Sequence, residues 1–210
     1  MKIQFWVVPA IALLTMGSAH AAACTGSNAG TASTADVTFA SAVSDQCVGS
    51  GVNPQQGSNG NTSGFDSTFG TGWSLLGKVT GSSSASVNGV NFAWTFSQLS
   101  DTTGTWSLTT DKNATFDLVF AMHASNRSDA FLFDNRSTVA HHVNSQTWAI
   151  HWLNNGGETP AFSNLTLFER NVAVGPAGSP VPAVPEPETY ALMLGGLGAL
   201  GFMARRRKSL

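Results

Sequence analysis

Four histidines in the body of the chain, His123, His141, His142 and His151, are its best zinc donors, because imidazole nitrogen is a common ligand for that ion. None shows the H-E-x-x-H spacing that sets two imidazoles on one helix face, and His151, between Ile150 and Trp152, alternates away from an apolar face. Asp117 and Asp129 are the carboxylates to try for glycoside hydrolysis, which needs two acids facing one bond. Ten acids are scattered over residues 24 to 184, however, so some such pair is inevitable. Asp111, Asn113 and Asp117 offer oxygen donors in a short loop, without the glycine turn and terminal glutamate of an EF-hand. A serine nucleophile elbow needs G-x-S-x-G behind a strand, and Gly49-Ser50-Gly51 has the wrong spacing. The expectation is a chain with no catalytic residue, no metal site and no cofactor.

The elements that would position these groups are strands. Val90, Phe92, Trp94 and Phe96 alternate with Asn91, Ala93 and Thr95, and Phe116, Leu118, Phe120 and Met122 alternate with Asp117, Val119 and Ala121. Each run predicts a strand with one buried face. Trp106 with Leu108, Trp148 with Ile150 and Trp152, and Leu165 with Leu167 repeat the pattern more briefly. Turn-forming Gly, Ser, Asn and Asp separate the runs, so the fold class is all-β, an antiparallel β-sandwich or jelly roll of about seven to nine strands. Residues 49 to 64 read as a low-complexity loop, and Gly81 to Ser86 as a hairpin connection. Trp94 and Trp148 alternate with polar residues as core positions do; if exposed, such rings would instead stack on sugars and make the domain a carbohydrate-binding module. Five N-x-S/T sequons, at Asn61, Asn113, Asn126, Asn135 and Asn164, carry no weight in a chain this rich in Asn, Ser and Thr.

Composition narrows the class further. Charged residues are 10% of 210, whereas Ser, Thr, Asn and Gly supply 24, 21, 14 and 22 residues. The net charge of −2 argues against nucleic acid as a partner, since phosphate binding needs clustered Lys and Arg. That total averages three regions. Lys2 stands alone before an uncharged stretch, residues 24 to 184 hold ten acids against five bases, and from Pro185 onward Glu186 and Glu188 are followed by Arg205, Arg206, Arg207 and Lys208.

Lys2, the apolar run from Ile3 to Met16 and the small residues from Gly17 to Ala23 stand in the order of a secretory signal peptide. Ala19-His20-Ala21 and Ala21-Ala22-Ala23 both fit the cleavage pattern, so the cut is expected after Ala21 or Ala23. Export places Cys24 and Cys47 in an oxidising compartment, where two thiols pair as a disulfide. The alternative is a lipoprotein acylated on Cys24, although Ala21 stands where a lipobox usually has Leu.

Five of the eight prolines, Pro176, Pro180, Pro182, Pro185 and Pro187, fall between Val174 and Pro187 and predict an extended spacer. An uncharged apolar run from Thr189 to Ala204 follows; as a helix it would cover roughly 22 Å against a hydrocarbon core of ~30 Å. The basic stop at Arg205, Arg206, Arg207 and Lys208 would hold its end in the cytoplasm. Val184-Pro185-Glu186-Pro187-Glu188-Thr189-Tyr190-Ala191-Leu192-Met193-Leu194, the apolar helix and the arginines together resemble the PEP-CTERM sorting signal of Gram-negative bacteria. The resemblance implies that Pro185, Glu186 and Pro187 form a sorting motif recognised by a membrane-embedded exosortase, with this chain as substrate. Looser pieces, among them Asp45-Gln46-Cys47-Val48-Gly49 and Ala130-Phe131-Leu132-Phe133-Asp134-Asn135, resemble a recurrent ectodomain of such proteins.

The expected organisation is a signal peptide at 1–23, a β-sandwich ectodomain at 24–171, a linker at 172–184 and the sorting signal at 185–210. The expected route runs through transient inner-membrane anchoring to the cell surface or extracellular matrix. The leading functional expectation is a non-enzymatic protein of biofilm or exopolysaccharide matrix, with exosortase and an exopolysaccharide or other surface glycan as partners. A carbohydrate-binding surface module is the alternative, and a secreted hydrolase the third reading.

Overall fold

The computed structural model describes residues 21–26, 30–79, 81–154 and 156–175. A 3-10 turn, Thr34–Asp36, leads into a short ribbon of β1 (Thr38–Phe39) and β2 (Ala42–Val43), and β3 (Gln46–Ser50) follows. A single helical turn, α1 (Asp66–Phe69), precedes β4 (Ser74–Val79), β5 (Ser83–Val87), β6 (Val90–Gln98) and β7 (Thr103–Thr110). Then come β8 (Ala114–Ala124), β9 (Arg127–Thr138), β10 (Asn144–Ala149) and β11 (Asn164–Val174). A five-stranded antiparallel sheet in the order β3-β9-β8-β11-β4 packs on a four-stranded one in the order β10-β7-β6-β5. The architecture is all-β, as the alternation of apolar residues predicts, and β11 continues to Val174, past the ectodomain boundary expected at 171.

The inter-sheet core follows from period two. Phe92 and Trp94 of β6, Trp106 and Leu108 of β7 and Trp148 of β10 meet Phe116, Leu118 and Phe120 of β8 and Phe131 and Phe133 of β9. Leu165 and Leu167 of β11 extend it, and Phe39 of β1 seals one side against Trp106, Phe116 and Phe133. The sheets approach closely where Trp94 crosses Gly77: a Cβ there would lie 2.3 Å from the indole, so β4 needs glycine at this point. The β5–β6 turn is Asn88-Gly89, at φ 49° and 76°, the pair of left-handed residues that a two-residue hairpin of this twist requires. That turn corrects the expected hairpin connection over 81–86, because Ser83–Val87 is itself an edge strand.

The single-faced reading of the 116–122 run also needs correction. Val119 and Ala121, on the reverse face, are 0% and 1% exposed and join Val48, Ala130, Leu132, Phe168, Phe65 and Phe69 in a second core. The segment just beyond the 49–64 loop supplies its cover. Phe65, Phe69 and Trp73, from the segment containing α1, lie on the outer face of the five-stranded sheet, with the Phe65 and Phe168 ring centroids 5.3 Å apart.

Arg170 of β11 clamps this cover. Its Nε donates to Asp117 at 3.1 Å, its Nη1 donates to the carbonyls of Phe69 and Thr71 at 3.1 and 3.2 Å, and its guanidinium lies 4.1 Å from the Trp73 ring centre. Arg170→Ala should lower stability by about 2 kcal/mol, and the peptide bonds of residues 51–73 should become preferred cleavage sites in limited proteolysis. Unchanged cleavage would show that the apolar contacts alone hold the cover.

Cys24 and Cys47 form a disulfide, which removes the thiol that acylation of Cys24 would need. The bridge and a pairing of Thr25 with Val48 fasten the N-terminal segment along the free side of β3. Cys47→Ala should cost about 3 kcal/mol in chemical denaturation under oxidising conditions, and nothing beyond the reduced wild type when reductant is present.

Candidate functional site

The candidate catalytic carboxylates do not share a site. Asp117 sits at a bulge in β8, where the register with β9 shifts between Phe116 and Leu118. It accepts the Asn135 backbone N–H at 2.9 Å, Arg170 Nε at 3.1 Å and Asn171 Nδ2 at 2.8 Å. Burial opposes its charge, but these donors and a hydrogen bond from the Asp134 carboxyl outweigh it and hold Asp117 below the usual carboxylate range. Its oxygens are thus committed to bracing the outer face. Asp129 lies toward the other end of β9, paired with Met122, and alternates with Phe131 and Phe133 onto the inter-sheet side. It is 0% exposed, and neither carboxylate oxygen has a hydrogen-bond partner. Burial, reinforced by the negative charge of Asp36 and only partly offset by Arg127, pushes its pKa up to about 8.

The histidines are likewise dispersed. The His123 Nδ1 lies 2.7 Å from Ser128 Oγ, its direct partner across the β8–β9 hairpin, and burial lowers its pKa. A neutral imidazole on a serine hydroxyl is the first half of an activated nucleophile, but Ser128 is only 4% exposed, so the pair acts as a cross-strand stitch. His151 follows β10 and is 60% exposed at its side chain; its Nδ1 lies 2.8 Å from Asp36 Oδ1. Asp36 also takes the Ser33 backbone N–H and hydroxyl, at 3.0 and 3.1 Å, while Thr31 Oγ1 donates to the His151 carbonyl. A fixed carboxylate orienting an exposed imidazole is the base half of a hydrolytic triad. Here it pins the segment before β1 to the β10–β11 connection. Residues 36 and 151 are 115 positions apart, so no local motif announces the pair. Among the described residues, no three His, Cys, Asp or Glu side chains come together as a metal site.

The oxygen donors of Asp111, Asn113 and Asp117 do not converge either. Asp111 accepts the Asn91 backbone N–H and Nδ2, both at 2.7 Å, and Asn113 Oδ1 accepts the Ala140 N–H at 2.9 Å, so each faces different partners from Asp117. The Asn91–Asp111 latch borders an open groove of about 320 Å³ lined by Ser84, Asn91, Ala93, Thr109, Asp111 and His141. The bond from the Asn91 N–H, strengthened by its side-chain amide and by Lys112, keeps the Asp111 carboxyl ionised well below neutrality.

The tryptophans provide no open stacking platform among the described residues. Trp94, Trp106, Trp148 and Trp152 are at most 4% exposed, and Trp73 lies beneath Arg170 with its Nε1 donating to the Gly70 carbonyl at 2.7 Å. Pro185, Glu186, Pro187, the apolar run and the basic stop at Arg205 to Lys208 lie outside the described residues, as does most of the expected signal peptide. Comparison of the sequence with protein families reports on that C-terminal region. The family model for the PEP-CTERM protein-sorting motif matches residues 183–208. No curated protein and no solved structure matches the chain.

Proposed function

Taking the chain as a PEP-CTERM domain-containing protein, we propose that an exosortase processes it during export, and that the released β-sandwich serves without catalysis in a biofilm or exopolysaccharide matrix at the cell surface. The observation that carries this reading is the match at 183–208, which begins a short distance beyond Gly175, the last residue described after β11. The domain that precedes the match suits exposure outside the cell. It is braced by a disulfide, and its candidate catalytic groups are engaged elsewhere: Asp117 in the clamp, Asp129 in the core and His123 in a hairpin stitch. The N-terminal contacts favour leader cleavage after Ala21 over cleavage after Ala23, because the Ala22 N–H donates to Thr34 Oγ1 at 3.0 Å and its carbonyl accepts the Thr34 N–H at 2.8 Å.

Expression in the native host, with and without its exosortase gene, tests the reading. Fractionation should give a shortened protein outside the inner membrane in the first case and a full-length, membrane-bound chain in the second. Shortening that persists without the exosortase would refute it.

A further inference from the structure

We infer that the outer face of the four-stranded sheet, with the Asn91–Asp111 groove at one end, binds a neutral polyhydroxyl polymer, that is, a glycan without acidic groups. The inference rests on the matrix reading above and assigns the surface that would carry it.

The face is unusual in its chemistry. β5, β6, β7 and β10 contain no Asp, Glu, Lys or Arg, although exposed surface ordinarily mixes charges at about a quarter to a third of its residues. Alternation turns Trp94, Trp106 and Trp148 inward and leaves hydroxyls and small groups outside. The register sets Ala93 beside Thr109, Thr95 beside Ser107, and Ser107 beside Ser145, in rows across three strands. Adjacent strands lie about 4.8 Å apart, so the rows present polar groups at regular intervals.

At one end of this face the surface becomes concave. Two bonds from Asn91 fix the Asp111 carboxylate, leaving an oriented acceptor for sugar hydroxyls at the groove wall. The Ala93 methyl group and Val143, 62% exposed, supply apolar contact of the kind that sugar C–H groups use. A volume of about 320 Å³ is at the small end of ligand sites, roughly 300–1,000 Å³, and admits one or two sugar rings.

Charge selects the class of glycan. Asp111 would repel a carboxylate or sulfate, and the neighbouring Lys112 ammonium is turned to the Gly89 carbonyl at 2.6 Å. With Trp94, Trp106 and Trp148 of this sheet buried, affinity per sugar is low and accumulates along a polymer through repeated contacts.

The test is binding of the purified full chain in detergent to a soluble neutral β-glucan, with polygalacturonate as the acidic comparison. Ala93→Glu and Val143→Glu place a charge in the groove at exposed positions, and Leu99→Glu, 71% exposed beyond the far end of β6, is the control. The β-glucan should bind more tightly than the polygalacturonate, either groove variant should weaken it by about tenfold or more, and the Leu99 variant should match wild type. If one groove variant fails to fold, the other decides. Failure of the wild type to bind β-glucan, equal binding to the acidic polymer, or full binding by a folded groove variant would overturn the inference. The matrix reading would survive such a failure if the exported protein still fractionated with the matrix in its host.

Discussion

Replacing Pro185, Glu186 and Pro187 together with alanine should leave nearly all of the protein at full length in the inner membrane of its native host. Two prolines two residues apart remove two backbone donors and fix φ near −65° at both positions, so this stretch cannot enter a helix interior or a central strand. Such a sequence favours extended backbone, the form that an enzyme gripping main chain needs. Three alanines reverse each property, because alanine restores the donors and is the best helix former. The expected comparison is a second variant with Pro176, Pro180 and Pro182 replaced by alanine. Those residues lie before the matched segment 183–208, so it should be shortened normally. Normal shortening of the first variant would show that processing does not read the motif.

The second large effect concerns Asp129. Its carboxyl holds a proton in the fold up to about pH 8, whereas in the unfolded chain it ionises near pH 4. Between those values the unfolded state binds fewer protons than the native one, so stability falls as pH rises, by about 1.4 kcal/mol per pH unit from this group. Burial also raises Glu169, which adds to the fall, and lowers His123, which opposes it. Asp129→Asn isolates the main contribution because the amide cannot ionise. The wild type should therefore lose about 3 kcal/mol relative to the variant between pH 5 and pH 8 in urea denaturation. Parallel curves would show that the Asp129 carboxylate is solvated or paired in solution.

Much of this architecture is legible in the residue pattern. Alternation in β6 and β8 marks the face each turns to the inter-sheet core, and the even pair of cysteines in an exported chain marks the bridge. The cover over the five-stranded sheet is harder to read. Its anchors Phe65, Phe69 and Trp73 are spaced among Asp, Ser, Thr and Gly, and no local period links them to Val119 or Phe168. A signal was nonetheless present, since Leu118 to Met122 is apolar without a break, as expected for a strand buried on both faces. β5 escapes notice because Ser83-Ser84-Ala85-Ser86 has the composition of a turn, and only pairing with β6 makes it a strand. The Asp36–His151 contact and the burial of Asp129 depend on how distant segments meet. The sorting segment is the reverse case: its order of proline-rich motif, apolar run and basic stop is local, so it reads directly from sequence.

The most direct test of the sorting account is the intact mass of the mature protein recovered from outside the inner membrane of its host. The account predicts one chain beginning at Ala22, with Cys24 joined to Cys47, and lacking Arg205 to Leu210. A surface form that retains Leu210 would contradict it.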